Sequence, residues 1–490
     1  MLLAVITAAL AINSEPSAQA TVPETQMPNQ ALAPASPKQL QVEKFTLSNG
    51  LQVWVHYEPT STIARTDLII KVGSRNETQA ISGISHLLEH MTFTGTEQWD
   101  EEQVVNKIDQ LGGRWNAYTN KNITNYYATV PAQELETALE WLSQVVFHTT
   151  LPADKLDRER EIVFQEKGGR YDWVWSQVER FGLDYDLTTK LRKQAFTDSS
   201  FHLPVIGRDT ALDRITRADL SNYYQQHYLP NNAVLLVVGN TPPEQVITAA
   251  QQFFGDLVPR DLPPRPETPQ ARSPETSQPI IVRGADRSEQ VRIKLLAPTV
   301  AWGQPDQWVL SVAAAALDKQ LQDELRLKRG LVYSARASTR SYRDFGYFEI
   351  STRVKRQNTD EALMAIRETL AAWQQGQISP TDVEEAKQAL IGKWLLSMDS
   401  TENRAYWFAS WVDVSEPDEP IPYYPEEIER VTVADVRQVS QAYLQLNQFY
   451  TGMHQPIVTI TSAVKGGIIL LCLVSAGALG VYGWRKYAQR

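Results

Sequence analysis

Cysteine is almost absent from this chain: Cys472 is the only one among 490 residues. The chain therefore has no internal disulfide, and cysteine gives no evidence about the redox compartment. An excess of positive charge is also lacking, because 57 acidic residues outnumber 47 basic ones and the formal net charge is −10. This balance argues against a nucleic-acid partner. Hydrophobic residues make up 42% and charged residues 21%, which is the composition of a globular protein.

Long apolar runs are confined to the two ends. Residues 2–12 are apolar, are too few to span a bilayer, and precede Ala18-Gln19-Ala20, so we predict a signal peptide at residues 1–20, although a basic n-region is missing. Residues 466–483 carry no charge, and Arg485 and Lys486 follow. We predict a transmembrane anchor at residues 466–484, a cytoplasmic C-terminus and a body outside the cytoplasm, in a bacterial periplasm. A buried helix is the alternative for this run.

Proline and polar residues divide the remaining chain. Residues 21–40 are rich in Pro, Gln, Ala and Ser and are predicted to be a disordered lead-in. Seven of the 21 residues at 259–279 are proline, which predicts a linker. The body is long enough for two domains with real cores, and the linker divides it into residues 41–258 and 280–455.

The two parts share an order of predicted elements. Period-2 alternation predicts strands, and longer periodic stretches predict helices. The first part has strands at 41–47, 51–57, 64–72 and within 115–130, and helices at 101–111, 133–147 and 153–167; the second has strands at 333–339 and 346–354 and helices at 360–374 and 381–396. Internal duplication is the economical explanation. The predicted fold class is α+β: two homologous α/β-sandwich repeats, a Pro-rich linker and one C-terminal transmembrane helix.

The segment His86-Leu87-Leu88-Glu89-His90 carries the first chemical signal. Residues four apart share a helix face, so His86 and His90 can bind one ion. Glu89 can reach water on the same ion, whose pKa a metal lowers toward ~7. The order His-x-x-Glu-His is the inverzincin signature and predicts zinc-assisted hydrolysis. The alternative is an ordinary amphipathic helix with two unrelated histidines.

A third protein ligand would decide between these interpretations. The predicted helix at 153–167 contains Glu159 and Glu166, which are seven residues apart and so share a face. Ile162 and Val163 lie between them, which indicates partial burial, and carboxylates near a buried face need a partner such as a divalent cation. A solvated Glu/Arg face is the alternative, and the spacing alone does not choose between them.

With these motifs in order, the chain resembles the pitrilysin, insulysin and mitochondrial processing peptidase family, the inverzincin metallopeptidases. The resemblance covers roughly residues 44–450. It is carried by residues 83–91 with Phe93 and Gly95, by Gly112-Gly113, by residues 116–119 and by residues 159–166. It implies that Glu166, 76 residues beyond His90, is the third zinc ligand and that Glu159 is a nearby supporting carboxylate.

The family also uses an Arg/Tyr pair from its other half, and Arg326 and Tyr333 match that pattern. The resemblance implies that they hold the substrate backbone and donate a hydrogen bond to the oxyanion. Without it, they would be a helix-ending arginine and a strand tyrosine. Residues 313–318 depart from the family pattern, which is often glycine-rich there.

The resemblance therefore implies a zinc endopeptidase. One Zn2+ per chain would be bound by His86, His90 and Glu166, with Glu89 as the general base. Two imidazoles and one carboxylate favour zinc over other divalent metals. A strand edge at residues 116–119, which are Asn116, Ala117, Tyr118 and Thr119, would bind an extended peptide by main-chain hydrogen bonds. Short or unstructured peptides are then the expected substrates, and the net charge mildly favours basic or neutral ones.

The second part lacks the motif, and Lys393 or Trp394 occupies the position that echoes Glu166. It is therefore predicted to be a non-catalytic repeat. Because the family closes four repeats around a substrate, the resemblance implies a homodimer or a heterodimer with a related chain. Two alternatives remain open: a scaffold subunit of a membrane complex, and a processing protease that cuts specific protein segments.

Overall fold

The computed structural model describes residues 41–170, 187–197, 199–275, 278–286 and 288–459. Within these ranges the strands form one sheet of six and one of five. The first sheet contains β1 (Glu43–Thr46), β2 (Gln52–Tyr57), β3 (Ile63–Ile70), β4 (Arg114–Thr119), β5 (Thr124–Pro131) and β6 (Ala233–Gly239). The second contains β7 (Ile280–Asp286), β8 (Val291–Thr299), β9 (Val332–Ser341), β10 (Gly346–Val354) and β11 (Tyr450–Thr459).

Helices connect the strands in both halves. The described α-helices of the first half are α1 (Ile84–Thr92), α2 (Glu101–Asp109), α3 (Leu135–Phe147), α4 (Leu156–Glu166), α5 (Leu187–Ala195), α6 (Asp209–Leu212), α7 (Arg217–His227) and α8 (Pro243–Phe254). Those of the second are α9 (Asp306–Gln322), α10 (Thr359–Gln374), α11 (Pro380–Ser397), α12 (Thr401–Ala409), α13 (Tyr424–Arg430) and α14 (Val433–Tyr443). The predicted helices and strands agree with these bounds within a few residues.

Both sheets have the same strand order. The first is ordered β1-β2-β6-β3-β5-β4 and the second β7-β11-β8-β10-β9. In each half the last strand lies between the two earliest strands of the shared core, parallel to the first (β2 or β7) and antiparallel to the next (β3 or β8). Apart from the additional edge strand β1, the two topologies are the same. This mixed α/β arrangement fits the predicted pair of repeats.

The centre of the first sheet is covered on both faces. All seven residues of β6 are buried, as expected for a strand with no solvated face. On one face, apolar side chains of α1, α3 and α8, such as Leu87, Leu139 and Ala250, pack in the core. On the other face, α12 of the second half packs against β3 and β6. The two halves are therefore joined through the first sheet.

The predicted localisation needs correction. In the part of the chain that the structure describes, no helix combines the length and apolar character needed to cross a membrane. The predicted anchor at residues 466–484 and the predicted signal peptide at residues 1–20 lie outside the described residues. Membrane anchoring, and the extracytoplasmic body and cytoplasmic C-terminus inferred from it, are therefore withdrawn.

Candidate metal centre

Helix α1 carries the two histidines of the motif. It begins after Gly83, whose φ of +97° is left-handed and favours glycine; a Cβ at this position would also lie 2.6 Å from the Cα of Gly207. The apolar positions of α1, with Leu87 and Leu88 fully buried, face the core. Because residues four apart share a face, this burial turns His86 and His90 together towards a cavity.

The structure brings His86, His90 and Glu166 together. The Nε2 atoms of His86 and His90 lie 3.6 and 3.5 Å from the same Oε2 atom of Glu166. One donor atom from each residue lies within 4.8 Å of the other two. Among the described residues, these three side chains form the group of His, Cys, Asp or Glu that could hold a metal ion. Helix α4 thus places Glu166 opposite both imidazoles.

These three residues fit a zinc ion. Separations of 3.5 and 3.6 Å exceed the normal length of an N–H···O hydrogen bond, so the groups do not satisfy one another. Zinc bonds of 2.0–2.2 Å at tetrahedral angles would separate donor atoms by about 3.4 Å. Burial, reinforced by neighbouring His90, lowers the pKa of His86 to about 4, so His86 is neutral at pH 7, as a ligand must be.

Glu89 occupies the inner wall of the cavity. Its carboxylate accepts a hydrogen bond of 2.5 Å from Thr119 Oγ1 on β4, and the residue is 7% exposed. Burial raises the pKa of Glu89 to about 7, although Thr119 and His90 oppose the shift. A carboxyl group with this pKa can both accept and return a proton near neutral pH.

Glu159 supports His90 from behind. Its Oε2 lies 3.5 Å from His90 Nδ1, and its Oε1 accepts hydrogen bonds from Arg158 at 2.9 and 2.7 Å. Burial would raise the pKa of Glu159, but the nearby His90 imidazole and the hydrogen bonds from Arg158 outweigh it and lower that pKa. An ionised carboxylate on Nδ1 orients the imidazole so that Nε2 faces the cluster.

A cavity of about 570 Å³ connects the cluster with an edge strand. It is lined by the cluster, by Glu89 and by residues of β4 that include all four predicted substrate-contact positions: Asn116, Ala117, Tyr118 and Thr119. Strand β4 ends the first sheet and pairs with β5 alone. Its other edge is therefore free of sheet partners among the described strands.

Arg326 and Tyr333 are not brought to the cluster. The described residues that line the cavity include neither of them. Arg326 lies in a π-helical turn (Asp323–Lys328) after α9, with its Cζ 5.2 Å from the ring centre of Tyr333. Tyr333 is 81% exposed. The two residues are neighbours of each other at the surface of the second half.

Two residues beside the site escaped the sequence analysis. Arg158 joins Glu159 to Glu101 of α2, with bonds of 3.0 and 2.5 Å to the Glu101 carboxylate. Glu77 accepts hydrogen bonds from the backbone N–H groups of Gly83 and Ser85. The signal for Glu77 was the sequence Gly83-Ile84: a helix that begins without a Ser, Thr, Asp or Asn cap needs an acceptor from elsewhere.

Two family models match the chain. "Insulinase (Peptidase family M16)" matches residues 52–189, and "Peptidase M16 inactive domain" matches residues 214–390. Together they cover more than half of the 490 residues. The uncharacterized zinc protease YmxG of Bacillus subtilis is 28% identical over 74% of this chain and 86% of its own length. The mitochondrial-processing peptidase subunit beta of Lentinula edodes is 26% identical over 82% and 87%.

Solved structures share the fold. A protease from Helicobacter pylori has a TM-score of 0.72 and 23% identity, over 85% of this chain and 100% of that one. A peptidase M16 inactive domain from Pseudomonas fluorescens has a TM-score of 0.73 and 18% identity, over 86% and 99%. The fold and the matched models define a peptidase class built from two repeats. The chain belongs to the pitrilysin, or insulinase, family of peptidases (family M16), as its motifs predicted.

Proposed function

We propose that this chain is a zinc-dependent endopeptidase that hydrolyses short or unstructured peptides. The observation that carries the proposal is the cluster of His86, His90 and Glu166, whose donor atoms lie within 4.8 Å of one another in a cavity shared with Glu89 and an edge strand. The names of its relatives, which include zinc proteases, support the metal and the reaction class.

In this proposal, His86, His90 and Glu166 hold one zinc ion per chain. Bound zinc would supply a Lewis acid and bring the pKa of water toward ~7. Glu159 would favour the His90 tautomer whose Nδ1 carries the proton and whose Nε2 carries the lone pair, because its carboxylate lies 3.5 Å from Nδ1. Glu159 is thus a supporting carboxylate and not a ligand.

Glu89 acts as the general base and then as the general acid. Its carboxylate takes a proton from the attacking water and passes it to the leaving amine of the cleaved peptide. Thr119 holds one carboxylate oxygen by its 2.5 Å bond, which keeps the other side of the group available. Burial raises the pKa of Glu89 to about 7, and a bound cation would favour the ionised form that accepts the proton.

The substrate is proposed to add as a strand beside β4. The main-chain groups of residues 116–119 offer hydrogen bonds on the unpaired edge, and the cavity wall offers Phe93 and Trp115 for apolar side chains. A folded protein cannot present an extended strand there, so peptides and flexible segments are selected. The net charge of −10 favours basic or neutral ones.

Arg326 and Tyr333 are proposed to bind the substrate backbone and the oxyanion when substrate and a second chain are present. The exposure of Tyr333, 81%, supports a role in which another molecule covers it. We propose a dimer, either of this chain or with a related one. Sedimentation velocity of the purified full chain, alone and with substrate, tests this: a monomer in both samples would contradict it.

Turnover of a mixed set of unstructured peptides by the full chain tests the function. Glu89→Gln should retain zinc, measured by elemental mass spectrometry, and lose at least about a thousandfold in kcat, because the proton acceptor is removed while the three ligands remain. Glu361→Gln is the matched control: it makes the same change at an exposed position of α10 and should retain full activity. A Glu89→Gln protein as active as the parent would overturn the assignment.

A second candidate is a processing protease that cuts specific protein segments. It is favoured by the similarity to a mitochondrial-processing peptidase subunit. The cleavage profile on the same peptide mixture separates the two functions. Cuts spread over most peptides indicate a general peptidase, whereas cuts in a small set with a shared sequence feature indicate specific processing.

A further inference from the structure

The segment between β3 and α1 holds the start of the metal helix. The carboxylate of Glu77, a residue 3% exposed, accepts the Gly83 N–H at 2.7 Å and the Ser85 N–H at 3.1 Å. No side chain at the N-cap position itself performs this function. The Glu77 carboxyl group also faces the positive end of the helix dipole. Glu77 therefore sets where α1 begins, at Ile84, two residues before His86.

The same segment is bonded to the hairpin that orients Glu89. The N–H of Ser74 donates to Asn120 O at 3.0 Å, and the N–H of Arg75 donates to Lys121 O at 2.9 Å. These acceptors lie in the β4–β5 turn, directly after Thr119. Thr119 donates a hydrogen bond to the Glu89 carboxylate. The segment between β3 and α1 is therefore bonded to the helix that carries Glu89 and also to the turn that follows Thr119.

Arg75 extends the connection to the second half. Its guanidinium donates to both carboxylate oxygens of Asp344, at 2.8 and 2.6 Å, and is 5% exposed. Asp344 lies in the turn between β9 and β10 and also accepts from Thr268 Oγ1 at 2.9 Å. A bidentate ion pair fixes the relative position of its two partners. A displacement of the β9–β10 turn would therefore also displace Arg75.

We propose that residues 73–77, the coupling segment, position the metal helix in response to the second half, with Glu77 and Arg75 as positioning residues. Glu77 acts on His86 and Glu89 through the backbone of α1. Arg75 ties the segment to Asp344. The kinetic part of this inference rests on the proposed peptidase function, whereas its metal-affinity part does not.

The test compares the full-length parent with Glu77→Gln. The amide places an N–H donor opposite a helix N–H donor, so α1 should start in an altered position. We expect zinc affinity, measured by chelator competition, to weaken about 10- to 100-fold, as when other supporting contacts of metal ligands are lost. We expect kcat to fall by a similar factor with KM changed less than threefold.

The matched control is Thr432→Ala, which removes the cap of α14, where Thr432 Oγ1 accepts from Asp435 N at 3.2 Å. It should lower the melting temperature by a comparable amount and leave zinc affinity and kcat unchanged. A Glu77→Gln protein that behaves like this control, with only a lower melting temperature, would overturn the inference. A parent with no turnover would contradict the proposed function, while the zinc affinities would still test Glu77.

Asp344→Asn tests the connection between the halves at a site 21% exposed, where folding is less at risk. It should lower kcat several-fold, although Asp344 lies in the other half, and its effect should be less than additive with that of Glu77→Gln. Full kcat in Asp344→Asn, or strict additivity, would remove Arg75 and Asp344 from the proposal.

Discussion

The two halves have the same strand order but join their corresponding helices in different ways. In the first half, α1 and α4 meet through His86, His90 and Glu166, whose facing atoms lie 3.5 to 3.6 Å apart. In the second half, α9 and α11 meet through Lys319. Its Nζ lies 2.7 Å from Asp382 and 3.2 Å from Glu385.

This difference is why a metal ion is proposed for the first half and not for the second. The ammonium of Lys319 supplies a positive charge and hydrogen-bond donors, so the carboxylates on α11 are satisfied by the chain itself. The cluster of the first half has a carboxylate and two imidazoles at distances too long for direct hydrogen bonds. In the proposed function, a metal ion would supply the positive charge that Lys319 supplies in the second half.

The position that corresponds to Glu166 shows the same divergence. Counting from the shared Pro-x-Asp before each helix, it is Trp394, which is 6% exposed and packs on Trp407 and Tyr424 with ring centres 5.8 Å away. The position that corresponds to Glu159 is Lys387, which is bonded to Glu384 and Glu429. Lys387 and Trp394 thus stand at the positions of Glu159 and Glu166, and their partners outside α11 lie on α12 and α13.

The largest effect is expected from Glu166→Ala. It should reduce zinc binding and kcat by roughly a thousandfold or more, because a loss of even an outer contact costs 10- to 100-fold. Removal of a carboxylate from the ion-pair cluster of the second half, by Asp382→Ala, should leave zinc content and kcat at the parent values. Equal losses in the two variants would break the comparison, since both halves would then contribute to one site.

The next largest effect is expected where the two halves are in contact, at Glu58 of the first half and Thr401 and Arg404 of α12. Burial of Glu58 opposes its ionisation, but bonds from His56, Arg404 and Thr401 outweigh it and hold its pKa at about 2. A folded-state pKa below the ordinary value of 4.5 contributes stability that is present above pH 4.5 and is lost as the pH falls towards 2. Its size is roughly 3 kcal/mol.

We therefore expect Glu58→Gln to lower the free energy of unfolding by roughly 3 kcal/mol at neutral pH and by less than half as much near pH 3. Urea titrations of the parent and the variant at both pH values measure the difference in their free energies of unfolding. Glu361→Gln should not differ from the parent at either pH. A difference in unfolding free energy that does not depend on pH would show that ionised Glu58 does not stabilise the contact between the halves.

The smallest effect is expected from Lys319→Ala. Its side chain is 43% exposed, so its ion pairs are screened by solvent and their loss should cost under about 1 kcal/mol of unfolding free energy. Zinc content and kcat should not change. Denaturant titration and peptide turnover measure both, and a loss of zinc in this variant would contradict the division into one metal-dependent and one metal-free repeat.

Much of the local structure could be predicted because it depends on neighbouring residues. Alternation and helical periodicity placed strand 346–354 and helix 360–374 where the structure has β10 and α10 (Thr359–Gln374). Strands β6 and β11 were not predicted. The apolar run of β6 has no period, and the mixed sequence of β11 does not alternate. The place of each strand inside its sheet depends on partners more than 150 residues away in the chain.

The sequence by itself determined that His86, Glu89 and His90 share one helix, because four residues are about one turn, and that Glu159 and Glu166 share a face of another. Only the tertiary structure decided which glutamate meets which nitrogen: Glu166 Oε2 faces both Nε2 atoms and Glu159 Oε2 faces His90 Nδ1. The order of the strands, the free edge of β4 and the cap from Glu77 are also tertiary results. The physical reason is that spacing fixes directions around one helix axis, whereas the angle and offset between two helices follow from the packing of the whole core.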